Sequence, residues 1–306
     1  MTMRKRTRSA AIIALGIFLM AACAQADRRE TPKRDPDAIR VASFDFSESE
    51  VLAEVYATAL ERRQFEVVRF PNLGSREVVF PALEQDHVDL VPEYLGSALE
   101  FATLGRTAPK RGTRAVHGQL AKALDQQGID VLGSAPAQNK NVVVVARRVS
   151  RDRTLRTVSD LVPIADELSF GGPPECPNRP LCLPGLKAVY GLEFMEFVPL
   201  DASGPLTTGA LANGEVDVAL MFSTDPALSG IDLKSLVDDK HLQPPENVVP
   251  IVRQNVVARH GPAFVRVLNA VSAELTTSDL RVFNQLVRSG TPAKDIAAVW
   301  LDSNGF

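Results

Sequence analysis

"FPNLGSREVVFPALEQDHVDLVPEY" (residues 70–94) and "VPLDASGPLTTGALANGEVDVALMF" (residues 198–222) align without a gap at a constant offset of 128. Pro71/Pro199, Ser75/Ser203, Ala82/Ala210, Leu83/Leu211, Val88/Val216 and Asp89/Asp217 are identical. The identities are few. The stronger signal is that both copies read as strand, serine-initiated helix, Val-Asp strand and terminal aromatic. This predicts two similar lobes, each bringing a helix N-terminus and a strand end to one edge. In the first copy Pro81 is expected to interrupt the helix and cost one backbone bond, with a kink. Pro92, which donates no ladder hydrogen bond, is expected to stop the strand before Glu93 and Tyr94. Strand ends are where α/β proteins hold ligands, so Tyr94 and its counterpart Phe222 are candidate contacts, one per lobe.

Outward from the repeat, "IRVASF", "FEVVRF", "VDLVP", "IDVLG", "NVVVVAR", "EFMEFVPL", "VDVALMF" and "NVVPIV" read as strands. Helical spacing covers 49–63, opened by a capping box of Ser47 with Glu50, and 113–127. Such alternation predicts an α/β fold with mainly parallel sheets. From Pro262 onward the pattern is helical, with Thr291 as an expected N-cap and Pro292 at the first helical position. Trp300 on the last helix and Tyr56 inside the first read as core. Lobe 1 is expected to take 38–142 and 250–306, and lobe 2 to take 143–249.

The 306 residues carry 34 basic and 37 acidic side chains. Four of the basic ones, Arg4, Lys5, Arg6 and Arg8, lie in the first 22 residues, leaving 30 against 37 in the remainder. That balance excludes a basic nucleic-acid footprint. Residues 1–22 read as an export signal, because the apolar run from Ala10 to Met20 is too short to span a bilayer. "MAAC" resembles a bacterial lipobox, which implies cleavage before Cys23 and lipid on that residue; an ordinary signal peptide cleaved nearby is the alternative. The polar stretch 23–37 reads as a flexible tether. Export leaves Cys176 and Cys182 as an even pair in the proline-rich "PPECPNRPLCLPG" (173–185). A disulfide is the first reading; two free thiols or half of a metal site are the others, with no further cysteine to complete such a site.

No GxGxxG after a strand, Walker loop, HExxH or GxSxG is present. No cofactor or metal is expected. A tethered two-lobed protein without a catalytic signature favours capture by hinge closure over turnover.

"ASFDFSESEVLAEVYATALE", "NLGSREVVFPALEQDHVDLVPEYLGS", "GLKAVYGLEF" and "MFSTDPAL" together resemble substrate-binding proteins of ABC importers for glycine betaine, choline and related osmoprotectants. The resemblance runs from about Ile39 to the C-terminus and rests most on E-Y-x-G-[ST] and [YF]-S-T-D. It implies a type II periplasmic-binding-protein fold, a small-molecule ligand between the lobes, and a membrane permease with its cytoplasmic ATPase as partners. It also implies an extracytoplasmic monomer, held at the membrane by the lipid, and makes Tyr94 and Phe222 cage walls.

A quaternary ammonium has no hydrogen-bond donor and is held by aromatic faces. A carboxylate on the same ligand wants hydroxyls, N–H groups or a cation. Ser47, Ser75 and Ser97 are candidate hydroxyls, and Arg76 stands at a helix N-terminus suited to anions. Phe44, Phe46, Glu93, Asn141, Ser223 and Asp225 complete the candidate set, although carboxylates such as Glu93 and Asp225 more often cap helices or fix loops. Relatives often run S-K-x-F-T-E where this chain has Phe44 at the lysine position. The missing cation weakens the case for a carboxylated ligand, and a more aromatic ligand stays open. So do an exported hydrolase and a sensor subunit. Arg179, in the cysteine loop, is left undecided between cleft and solvent.

Overall fold

The computed structural model describes residues 37–151, 154–230 and 233–306. The expected signal peptide, Cys23 and nearly all of the tether lie outside them. Among the described residues, ten strands form two five-stranded sheets. The first holds β1 (Ile39–Ala42), β2 (Val67–Phe70), β3 (Leu90–Tyr94), β4 (Ile129–Val131) and β10 (Val248–Arg253), in the order β2-β1-β3-β10-β4. The second holds β5 (Asn141–Ala146), β6 (Ser169–Gly172), β7 (Glu196–Pro199), β8 (Val218–Phe222) and β9 (Leu233–Ser235), in the order β7-β6-β8-β5-β9. Both β6 and β9 escape the sequence reading, because neither is an apolar run.

The sheets are mixed rather than mainly parallel. β1 is parallel to β2 and β3, and β6 to β7 and β8, as strand–helix–strand connections require. β10 and β5, however, lie antiparallel to both of their neighbours. These are the strands by which the chain enters each sheet from the other, so they arrive in the opposite sense. Each sheet buries apolar clusters on both faces, for example Leu90 on one side and Val91 on the other, and Val218 against Ala219.

The repeat folds as two equivalent units. β2, α2 (Arg76–Glu84) and β3 correspond to β7, α5 (Pro205–Asn213) and β8. Asp89 and Asp217 explain the shared Val-Asp. Asp89 Oδ2 accepts from Arg40 N at 2.9 Å, and Asp217 Oδ2 from Ser169 N at 3.0 Å. Each carboxylate thus ties the start of one strand to its parallel neighbour. The serines are not equivalent. Ser75 is the N-cap residue of α2, whereas α5 is started by Asp201, whose carboxylate accepts from Gly204, Leu206 and Thr207 N–H groups.

Four local expectations fail. Pro92 does not stop β3; it lies within the strand, opposite Pro250. The Pro250 carbonyl accepts from Leu132 on the far side, so the two prolines face each other at a non-hydrogen-bonded position and remove no bond between β3 and β10. On the other side β1 pairs with β3 only at Leu90. Helix α1 (Ser47–Glu61) begins without the capping box: Phe46 is its N-cap, and Ser47 is already helical. The last helix, α8 (Ala293–Ser303), starts after Pro292 rather than at it. α2 runs through Pro81. The remaining helices are α3 (Leu95–Thr103), α4 (Thr113–Asp125), α6 (Gln254–Glu274, broken at Gly261) and α7 (Thr277–Arg288). Trp300 and Tyr56 are buried in the core of the first sheet.

Candidate functional site

The ends of β3 and β8 meet the two crossing strands in the same way. Tyr94 closes β3 opposite Val248, and Phe222 closes β8 opposite Asn141. Between them lies a cavity of about 70 Å³. Its walls include Phe44, Phe46, Ser75, Arg76, Tyr94, Ser97, Asn141 and Phe222, so eight of the twelve candidate contacts come together.

Four rings form an aromatic cluster centred on Phe46. Its centroid lies 6.0 Å from Phe44, 6.2 Å from Tyr94 and 5.2 Å from Phe222. The turn after β1 is fixed by Ser49 Oγ, which accepts from Phe44 N at 2.9 Å, and this holds the Phe44-Asp45-Phe46 segment at the cavity. The Arg76 guanidinium lies 5.1 Å from the Phe44 centroid, within cation–π range.

Arg76 is buried and held bidentately by Glu93, at 2.7 and 2.9 Å. Burial opposes its charge, but Glu93 more than offsets this and holds the guanidinium above its ordinary range. Glu93 also accepts from Tyr94 N at 2.8 Å, so it fixes this corner from behind the wall. Asp225 caps the turn Pro226–Ser229, accepts from Ser203 Oγ and pairs with Arg288. Ser223 Oγ accepts from Lys140 N at 2.9 Å. Ser47 faces a neighbouring cleft together with Asp225. Glu93, Asp225, Ser223 and Ser47 therefore stand outside the cavity wall. Tyr190 is likewise structural, donating to Asp238.

The sequence reading missed the group that orients Tyr94. Glu48, in the first turn of α1, is 2% exposed, and among the described residues no ion pair holds it. Its carboxylate accepts from Tyr94 Oη at 2.6 Å, Asn139 Nδ2 at 2.8 Å, Thr224 Oγ1 at 2.5 Å and Asn284 Nδ2 at 2.7 Å. Burial pushes its pKa up, and the four donors partly counter that. Burial and the nearby Glu48 charge raise the Tyr94 phenol well above its usual value. Glu48 follows the F-S pair of the first motif, which was its one signal in the sequence.

The cysteine loop supplies the second-sheet wall. Cys176 and Cys182 are joined by a disulfide, with Cα atoms 5.3 Å apart, and both line the cavity with Glu175, Arg179 and Leu181. Arg179 reaches across to α2, donating to Glu77 at 3.1 and 2.7 Å, and pairs with Glu175 at 2.9 Å. Although burial works the other way, Arg179 and Ser75 hold Glu77 down to about 2.

In this wall Ser75 Oγ donates to Glu77 at 2.6 Å and Ser97 Oγ to Glu246 at 2.8 Å, so both hydroxyls are engaged by carboxylates. It is a chamber with an aromatic cluster on one side and Asp45, Arg76, Glu100, Glu175 and Arg179 in its wall, suited to holding a small cation. Residues 37–303 match the family described as the substrate binding domain of ABC-type glycine betaine transport systems. A glycine-betaine-binding protein of Pseudomonas aeruginosa is 27% identical, over 98% of this chain and 94% of its own. A carnitine transport binding protein of Listeria monocytogenes is 28% identical, over 81% of this chain and 80% of its own. The crystal structure of a glycine betaine/carnitine/choline ABC transporter protein superposes with a TM-score of 0.68 at 23% identity, covering 87% of this chain and 98% of that one. This likeness shows the two-lobed α/β fold.

Proposed function

The chain belongs to the substrate-binding family of ABC-type glycine betaine transport systems, and from that premise we propose that its aromatic cavity captures a quaternary ammonium solute. As a member of that family it is an extracytoplasmic solute-binding protein rather than an enzyme, with a small-molecule ligand and a membrane permease as partners. The exported-hydrolase reading falls with that membership.

The observation that carries the ligand class is the position of Phe46, which touches rings from both sides of the cleft at once. A trimethylammonium head presents only C–H surface and a delocalised charge, so facing rings are its natural partners, at about 0.5–2 kcal/mol per contact. The relatives named for glycine betaine and carnitine have ligands with that head group. Phe44, Phe46, Tyr94 and Phe222 form the cage, with Ser75, Arg76, Ser97 and Asn141 around it. The first lobe comprises 38–142 and 250–306 and the second 143–249, closing as hinged bodies on a monomer. Lipid on Cys23 anchors the protein at the membrane, beside the permease and its ATPase.

Calorimetric titration with glycine betaine, choline and carnitine tests this reading, followed by recovery of the bound compound. Saturable binding of at least one, returned chemically unchanged, supports it. Absence of binding by any quaternary amine contradicts it.

A further inference from the structure

We infer that Glu100 selects among quaternary amines, favouring those with a hydrogen-bond donor at the other end over those with a carboxylate. The inference rests on the cage reading above and adds a polar subsite to it. Glu100 lies on α3 one turn beyond Ser97, on the helix face that lines the cavity. Tyr94 is the N-cap residue of the same helix. A ligand with its head against Tyr94 therefore extends naturally along α3 towards Glu100.

The carboxylate of Glu100 is half-buried, and among the described residues no hydrogen bond or ion pair holds it. Its surroundings differ from those of the nearby charges. Arg76 is bound bidentately by Glu93. Arg179 is shared between Glu77 and Glu175. Ser97 Oγ already donates to Glu246 at 2.8 Å. Asp45, Glu100 and Glu175 line the cavity itself. Both cations are thus neutralised by partners of their own, while an acid is left open. Burial raises the pKa of Glu100, and Arg76 and Arg179 act only from a distance.

A ligand carboxylate placed here would meet like charge. A hydroxyl or N–H would complete the unmet acceptor, and a second positive group would do so more strongly. The absence of a lysine at the Phe44 position points the same way, since no free cation stands at the turn after β1. The ligand class that fits is a quaternary amine on a short linker to a donor, with choline as its simplest example.

The test is calorimetric titration of the protein and its Glu100→Gln variant with choline, glycine betaine and tetramethylammonium. Choline should bind the wild type about tenfold more tightly than glycine betaine, the effect expected of one hydrogen bond to a charged group. In Glu100→Gln the preference should shrink to about threefold or less, with tetramethylammonium losing less affinity than choline. Matching thermal melts would show that the variant is folded. Tighter binding of glycine betaine by the wild type, or an unchanged preference in Glu100→Gln, overturns the inference while leaving the cage intact. Failure of all three compounds to bind the wild type overturns the cage reading and this inference with it.

Discussion

The hydroxyl of Tyr94 donates to Glu48 at 2.6 Å, and the same carboxylate holds Thr224 beyond the end of β8. One buried acid therefore fixes the cage tyrosine of the first sheet and the chain just past the cage phenylalanine of the second. Asn139 and Asn284 complete its shell from the crossover segment and from α7. The ring of Tyr94 is oriented by its polar edge, leaving its face for the cavity.

This separates the roles of ring and hydroxyl. Tyr94→Ala removes a cage wall and should weaken choline binding by about tenfold or more, which one or two cation–π contacts imply. Tyr94→Phe keeps the face but leaves Glu48 one donor short, and should lower stability by about 1–2 kcal/mol. Its effect on affinity should be smaller than that of Tyr94→Ala. Titration calorimetry and denaturant unfolding of the two variants check both. Equal affinity losses would refute the division.

Much of the fold was legible because its signals are local. The offset-128 repeat gave the paired units, and short Val-rich runs gave most strands. The cage rings stood beside glycine, proline and acid in recurring motifs. What escaped depends on contacts distant in sequence. Pro92 fits inside β3 only because Pro250, 158 positions on, faces it at a non-hydrogen-bonded site. β6, Ser-Phe-Gly-Gly, has almost no strand propensity and forms because β7 and β8 flank it. Glu48 gave little sign of its role, because its four donors come from four other parts of the chain.

The disulfide loop should act on binding as well as stability. Cys176→Ser with Cys182→Ser removes a short-loop cross-link, with an expected loss of about 2 kcal/mol. The same change frees Arg179, which spans from the loop to Glu77. Arg179→Ala alone should cost about 1 kcal/mol or less of stability, since the pair is partly exposed. Both variants should release bound choline faster than the wild type, as read by stopped-flow competition. Unchanged dissociation would show that the loop is only a scaffold.

The acids predict an unusual stability profile. Glu77, held down to about 2, adds stability as pH rises towards the ordinary carboxyl value of 4.5 and keeps it above. Glu246 has the opposite sign: burial raises it from 4.5 to about 7. Its contribution is complete below 4.5 and is lost as pH climbs through 7. Glu48 and Glu100 are raised as well. Stability should therefore peak near pH 4.5 to 5 (about where these trends cross) and decline towards neutrality. Glu246→Gln keeps an acceptor for the Gly96 and Ser97 N–H groups at the start of α3, and should flatten the decline between 4.5 and 7. Melting temperatures across that range decide it; a slope identical to wild type would remove Glu246 from the account.

The central claim is that aromatic faces in this cavity hold a positive charge. Its most direct test compares choline with its neutral carbon isostere, in which a quaternary carbon replaces the nitrogen, by calorimetric titration of the same protein. Shape and apolar area are nearly identical, so only the charge differs. The account predicts that choline binds about tenfold or more tightly, the sum of two or more cation–π contacts. Equal affinity for the two compounds would contradict it.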